Sequence, residues 1–281
     1  MKYRPPTGRK VINGVVSVSA ALSALLGLLI LFWIIWEVLY RGLTALNWDF
    51  FTHLPTPPGV PGGGLANAIV GTLVLTLAAT VVAVPVGLLA GIYLAEFAED
   101  SRLGDLSRFS ANVLMGLPSI IVGVFAYSLV VLPMGNFCGY AGVVALAVIM
   151  LPVITRTTED MLRLVPNTLR EAALALGAPR WRVTLAVVFR AAKSGLLTGV
   201  LLAVARVSGE TAPLLFTALN SPYWFHSLAD HTPNLTVTIF HYAMSPYPDW
   251  QSKAWGASFL ITFGVLWITI ATRVMLRERK G

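Results

Sequence analysis

The stretch Arg206-Val-Ser-Gly-Glu-Thr-Ala-Pro213 places side chains suited to handling an anion inside an apolar run. Arg206 offers a planar fork of N–H donors that matches the oxygens of a phosphate-like group. Glu210 follows four residues later, so on a helix the two share a face and can pair. Ser208 and Thr211 add hydroxyls beside them, and Gly209 and Pro213 weaken the helix around them. Two readings follow. The pair is an internal ion pair that pins helix packing, or it is one face of an aqueous path on which Arg206 meets an oxyanion. On the second reading Glu210 holds Arg206 between passages and repels the anion, so that binding is brief. It could also accept a proton donated by an oxyanion that still carries one, which a fully ionised anion cannot offer. Other chemistry finds little support. There is no G-x-x-x-x-G-K-[ST], dinucleotide fingerprint or H-E-x-x-H. His226, His231 and His241 lack helical metal-ligand spacing, and Cys138 is the single cysteine. No catalytic residue, metal site or bound cofactor is expected in this chain.

The elements that must carry these residues are membrane helices. The chain of 281 residues is 56% hydrophobic and 12% charged, with a mean hydropathy of +0.75, whereas a soluble domain is about a quarter charged. Six continuous apolar runs, near 13–40, 66–95, 111–133, 140–156, 195–219 and 254–274, meet the length needed to span a bilayer. Continuous runs mark helices rather than barrel strands. The first run is too long for a cleavable signal peptide and is read as a retained helix. With the N-terminus in the cytoplasm, seventeen of the 20 basic residues fall on that side, which also places the C-terminus there. The expected division is a cytoplasmic segment 1–12, a six-helix membrane domain 13–274 with a cytoplasmic loop 157–194 and an outer loop 220–253, and a cytoplasmic tail 275–281. The formal charge of +7 follows this membrane asymmetry and does not argue for nucleic acid. The fifth run is about 37 Å long as a helix, which puts Arg206 near its centre, where an arginine costs on the order of 2.5–3.5 kcal/mol.

The basic loop contains Leu164-Val-Pro-Asn-Thr-Leu-Arg-Glu-Ala-Ala-Leu-Ala-Leu-Gly-Ala-Pro179. Thr168 and Glu171 have capping-box spacing, and Pro166 blocks an earlier start. Gly177 is placed for a left-handed cap, and Pro179 stops continuation. A helix of two to three turns over about 168–177 follows, marginal on its own. Leu169, Ala172, Ala173 and Leu176 form one small apolar stripe. The stripe suits either a groove on another protein or the surface of an anionic membrane.

Glu171-Ala172-Ala173, three residues, then Gly177 resembles the EAA loop of ABC-importer permeases, whose short helix docks into the ATPase subunit. The order of GGGLANAIVGTL (62–73), GLPSIIVG (116–123), LPVITRTTEDMLRLVP (151–166), REAALALGAPRWRV (170–183), ARVSGETAPLLFTAL (205–219) and AWGASF (254–259) resembles the A-type subunit of the phosphate-importer permeases. The resemblance covers about three quarters of the chain. It implies an inner-membrane transport subunit, bacterial or archaeal, which is not itself an enzyme. ABC ATPase subunits that use ATP and Mg would be its partners, together with a second homologous permease, an extracytoplasmic phosphate-binding protein and membrane lipid. It also implies docking through Glu171, Ala172, Ala173, Leu176 and Gly177, and a bend or gate at Gly116, Pro118 and Ser119, with Gly209 and Pro213 as further flexible points. Rival readings are a permease for molybdate, sulfate or phosphonate, an ion-coupled carrier, or a non-transporting membrane scaffold.

Three further expectations concern particular segments. The family's Leu-Pro is replaced by Phe189-Arg190, which predicts a more regular helix after the loop. PTPPGVPGGG (55–64) reads as a linker with no packing of its own, and 220–253 as a re-entrant or capping element. Asn234-Leu235-Thr236 matches a glycosylation acceptor, a tripeptide common by chance.

Overall fold

The computed structural model describes residues 7–277, so Lys2, Arg4, Arg279 and Lys280 and the outermost parts of both expected tails lie outside it. In chain order the helices are α1 (Thr7–Ala45), α2 (Trp48–Thr52), α3 (Ala66–Glu96), α4 (Arg102–Gly116) and α5 (Ser119–Met134). They continue with α6 (Gly139–Arg163), α7 (Asn167–Ala175), α8 (Arg180–Ser208), α9 (Ala212–Leu215), α10 (Leu235–Ala243) and α11 (Pro248–Arg277). Five of them are long and apolar enough to cross a membrane, and six spans result if α4 and α5 count as one. The chain is an all-α, multi-pass membrane protein.

The centre is the pair α3 and α6. Gly87 and Gly91 make their close approach possible. A Cβ on Gly87 would sit 2.8 Å from Ile154 Cβ, and one on Gly91 would sit 2.5 Å from Thr158 Cβ. In lipid, where no hydrophobic force drives helices together, such small-residue contact is a main source of packing. Leu75, Ala79 and Ala83 of α3 meet Leu146, Met150 and Ile154 of α6, and α8 adds Ala203 and Val207. Apolar side chains on the opposite face, such as Leu73, Leu77 and Val81, are exposed. This is the pattern of a helix whose outer face meets hydrocarbon. Helix α1 stands apart along most of its length and joins α11 only near its end. There Gly42 lies against Phe259, and the Arg41 guanidinium sits 5.2 Å from the centre of the Trp255 ring.

Three boundaries differ from the hydropathy reading. The single run 111–133 is two helices bent by 104°. Leu117 takes an extended conformation (φ −70°, ψ 136°) before Pro118, because the proline ring crowds the preceding residue out of the helical region. The fifth span begins at Arg180 and stops at Ser208 instead of covering 195–219. Its first turns are too polar to register as apolar, and the apolar residues beyond Gly209 belong to a folded-back segment. Helix α8 is continuous, as the missing Leu-Pro suggests, but it is not regular: Val183–Val188 form a π-helical turn.

The segment 55–64 is also more than a linker. Thr56 Oγ1 donates to the carbonyls of Val60 (3.0 Å) and Gly62 (2.8 Å), and a bridge joins Pro55 to Gly63. Lys253, 6% exposed, ties this loop to α11 by donating to the Gly62 carbonyl and to Asp249 Oδ2 at 2.7 Å. At the opposite, basic end, the fully buried Glu159 carboxylate takes Arg108 Nε (2.7 Å), Arg156 Nη1 (2.7 Å) and Arg163 Nη2 (2.9 Å). Arg108 also donates to the Leu94 and Ala98 carbonyls, so this cluster joins α3, α4 and α6.

Candidate functional site

Arg206 lies in the last turn of α8, not at the centre of a long span. The helix ends at Gly209, whose N–H bonds back to the Arg206 carbonyl at 3.2 Å. Glu210 follows just outside the helix, and its Oε1 stands 3.6 Å from Arg206 Nε. That is an ion pair by charge but lies beyond hydrogen-bond range. The Arg206 side chain is 45% exposed and that of Glu210 16%. Among the described residues no hydrogen bond engages the Arg206 guanidinium. The site therefore presents a set of available cationic donors beside a partly covered carboxylate.

The hydroxyls flanking the pair differ in role. Ser208 Oγ donates to the Val204 carbonyl at 2.8 Å, so its hydrogen is turned into the helix. Thr211 is the N-cap residue of α9, and its carbonyl accepts from Leu214 and Leu215. Pro213 sits in the first turn of α9, where a missing N–H leaves no helical bond unmade. It is buried against α5: a Cβ on Gly123 would lie 2.6 Å from Pro213 Cα. Gly116, Pro118 and Ser119 form the break ahead of α5, so the bend and the segment after Arg206 are joined through the Gly123–Pro213 contact. Gly116 itself has open space around its Cα, so crowding does not require glycine there.

The segment 209–220 is held by α10. Asn234 is fully buried and caps α10 by accepting from Val237 N at 3.0 Å. Its Nδ2 donates to the Leu219 carbonyl at 2.7 Å and the Thr232 carbonyl at 3.2 Å. These bonds secure Leu219, a non-glycine residue with φ +52°. Thr236 Oγ1 donates to the Glu210 carbonyl at 3.0 Å. Asn234 and Thr236 thus have structural partners, and a buried amide with both ends engaged is a poor glycan acceptor. Segment 220–253 folds inward through α10, which packs on α11 and α3.

The second candidate site is α7. Its N-cap is Pro166, without a side-chain cap, and the helix starts at Asn167, so the Thr168–Glu171 capping box does not form. Asn167 Oδ1 instead accepts from Arg170 Nη1 at 3.2 Å. The C-terminal expectation fares differently. Gly177 has φ +82°, its N–H bonds the Leu174 carbonyl at 2.9 Å, and Ala178 N bonds the Ala173 carbonyl at 3.2 Å. That pair of bonds is a Schellman motif. Ala173 turns inward toward Leu162 and Val183, whereas Leu169, Ala172 and Leu176 face outward with Glu171. Leu176 is 88% exposed. Arg170 clamps α7 to the end of α3 through Glu96 Oε1 (2.8 Å) and to the end of α6 through the Leu162 carbonyl (2.8 Å). Sequence spacing gave no sign of Glu96 or Thr236, whose partners are distant in the chain, while Glu159 and Lys253 have partners at helical spacing but make their fold-joining contacts to the remote Arg108 and the Gly62 carbonyl.

At the end opposite α7, a cavity of about 720 Å³ lies between the 54–58 and 219–223 loops, with Tyr242 and Trp250 on its wall. His226 and His231 line a smaller cavity with Asp230. Among the described residues no cluster of His, Cys, Asp or Glu could hold a metal ion.

Residues 84–278 match the family described as the binding-protein-dependent transport system inner membrane component. The phosphate transport system permease protein PstA of Yersinia pestis is 47% identical over 272 residues, covering 97% of this chain and 92% of that protein. The protein of the same name from Haemophilus influenzae is 46% identical, with 97% and 96% covered. Among solved structures, a bacterial ABC transporter involved in import of the acidic polysaccharide alginate superposes with a TM-score of 0.66 at 12% identity, covering 97% of this chain and 100% of that one. An inward-facing MetNI methionine ABC transporter gives 0.63 at 20% identity, with 76% and 95% covered. The structural likenesses establish the shared fold. With most of its length matched by the family and nearly all of it by relatives above 40% identity, the chain belongs to the binding-protein-dependent transport system inner membrane components, the permeases of ABC transporters.

Proposed function

We propose that this chain is the permease subunit that passes inorganic phosphate across the cytoplasmic membrane in an ATP-driven importer. The observation that carries the reading is Arg206, exposed at the end of a broken helix, its guanidinium free of hydrogen bonds among the described residues and an acidic neighbour 3.6 Å away. A guanidinium in that state can bind an oxyanion through paired N–H donors. Glu210 limits how long the anion stays, since a carboxylate beside a bound phosphate raises its energy. A conduit needs this balance of entry and release. The cargo follows the relatives named as phosphate permeases.

ABC permeases work with ATPases. Here the ATPase contact is the outward face of α7, with Glu171, Ala172 and Leu176 presented and Gly177 closing the helix. The Arg170–Glu96 clamp makes α7 a rigid extension of α3, so a push on α7 moves the central helix pair. The basic end is then cytoplasmic, as are both termini. The end with the loops 55–64 and 220–253 faces the extracytoplasmic phosphate-binding protein. A second, homologous permease subunit completes the pathway, because α3, α8 and α11 each leave most of their apolar length uncovered in one copy. The chain itself binds no ATP, Mg or other cofactor.

The test is phosphate uptake by the reconstituted importer carrying Arg206→Ala. Loss of uptake with intact assembly is expected. Undiminished uptake in assembled transporter overturns the reading.

A further inference from the structure

Among the described residues four acid–base pairs at four-residue spacing lie within continuous helices, and the three in acid-first order are closed: Glu37–Arg41 at 2.5 Å, Asp249–Lys253 at 2.7 Å and Glu159–Arg163 at 2.9 Å. Arg206–Glu210 has the same spacing but stands open at 3.6 Å. Arg156–Asp160, in the same basic-first order, is open at 4.0 Å because Glu159 takes Arg156 at 2.7 Å. Arg206 has no such competitor among the described residues. Arg206–Glu210 is basic-first, the less favourable order on a helix, and it differs also in the backbone of the partner, whose N–H bonds the Val207 carbonyl at 3.2 Å. Glu210 lies past the helix end, and its carbonyl is drawn to Thr236 Oγ1 at 3.0 Å.

We propose that Thr236 is a positioning residue that holds the Glu210 backbone off the helical path and so keeps the Glu210 carboxylate from closing on Arg206. The inference rests on Arg206 being the anion-contacting group. Thr236 is itself fixed. It is 5% exposed, and Asn234 Oδ1 lies 3.2 Å from its hydroxyl, so the single hydrogen is shared between Asn234 and the Glu210 carbonyl. Asn234 is anchored in turn to the Leu219 and Thr232 carbonyls and donates its backbone N–H to Asn220 Oδ1 at 3.3 Å. Leu235 N also donates to Thr72 Oγ1 at 2.8 Å, which ties the start of α10 to α3. The hold on Glu210 is thus referred to the central helix rather than to a mobile loop. Removing the hydroxyl frees the Glu210 carbonyl and lets the ion pair shorten. A closed pair engages the donors that phosphate needs.

The experiment measures turnover of radiolabelled inorganic phosphate by the complete importer in proteoliposomes with its binding protein at saturation. Thr236→Val is expected to lower turnover about threefold to tenfold, the range set by one hydrogen bond. Thr236→Ser, which keeps the hydroxyl, is expected to retain wild-type turnover. In a Glu210→Gln background the Thr236→Val change is expected to have little further effect, because no carboxylate remains to close. A purely structural role lowers turnover by the same factor in both backgrounds, and that result overturns the proposal. So does Thr236→Val with wild-type turnover. If Thr236→Val does not assemble, Thr236→Cys, a weak donor, carries the same comparison. Arg206→Ala separates the two levels. If it is inactive while Thr236→Val is normal, only the positioning role fails. If it transports normally, the pathway reading and the positioning role both fail.

Discussion

Arg206 at a helix end behaves differently from Arg206 in mid-helix. A helical i,i+4 partner neutralises an arginine and holds it against its own backbone. Past Gly209 the partner is displaced, and the charge is offset only in part. The cation therefore keeps its attraction for an anion, and Glu210 supplies a local repulsion. If the carboxylate also accepts a hydrogen bond from the hydroxyl that monohydrogen phosphate carries, it discriminates against sulfate, which has none. Glu210→Gln is expected to reduce the preference for phosphate over sulfate roughly tenfold, the scale of one charge-assisted hydrogen bond. Competition uptake with both anions reads this directly, and an unchanged preference removes the hydrogen-bond-accepting role while leaving Arg206 in place.

At the scale of elements, the proposed docking role of α7 separates stability from partner recognition. Leu176 is 88% exposed, so Leu176→Ser has no packing contact to remove, and the thermal midpoint of the isolated permease is expected to stay within about a degree, as surface changes do. Co-purification of the ATPase is expected to fall severalfold. A large loss of permease stability with normal ATPase binding contradicts the assignment of this face. The end of α7 was legible in the sequence because a left-handed glycine followed by proline has few alternative meanings. Its start was misread. Thr168 and Glu171 have the spacing of a capping box, but Asn167 can already adopt helical geometry after Pro166, which moves Thr168 into the first turn. The break after Ser208 was hidden for a different reason. Residues 211–219 are apolar enough to extend a hydropathy window, although they leave the helix and pack as a short turn against α5 and α10. Thr236 could not have been found by spacing, since its bond to Glu210 links positions 26 residues apart through a backbone carbonyl.

At the scale of the whole molecule, the spans themselves were the most legible feature. Lipid forces every backbone polar group to be satisfied within a helix, and that demand writes long apolar runs into the sequence. Orientation is a weaker inscription, carried by where basic residues collect. The fold adds a physical constraint. The loop 55–64 is locked to α11 by Lys253 at one end of the spans, and α7 is locked to α3 by Arg170 at the other, so the two must lie on opposite sides of the membrane. Val60 is 48% exposed in the first, and Leu176 88% in the second. The chain's single cysteine, Cys138, is fully buried, which leaves a quiet background for thiol labelling. A membrane-impermeant maleimide added to cells with a permeabilised outer envelope is expected to label Val60→Cys and not Leu176→Cys. Inverted vesicles are expected to give the reverse. Labelling of Leu176→Cys from the outside would place α7 away from any cytoplasmic ATPase and overturn the proposed orientation. Equal labelling of both from one side would mean that α3 does not cross the membrane, since these two locks sit at its opposite ends.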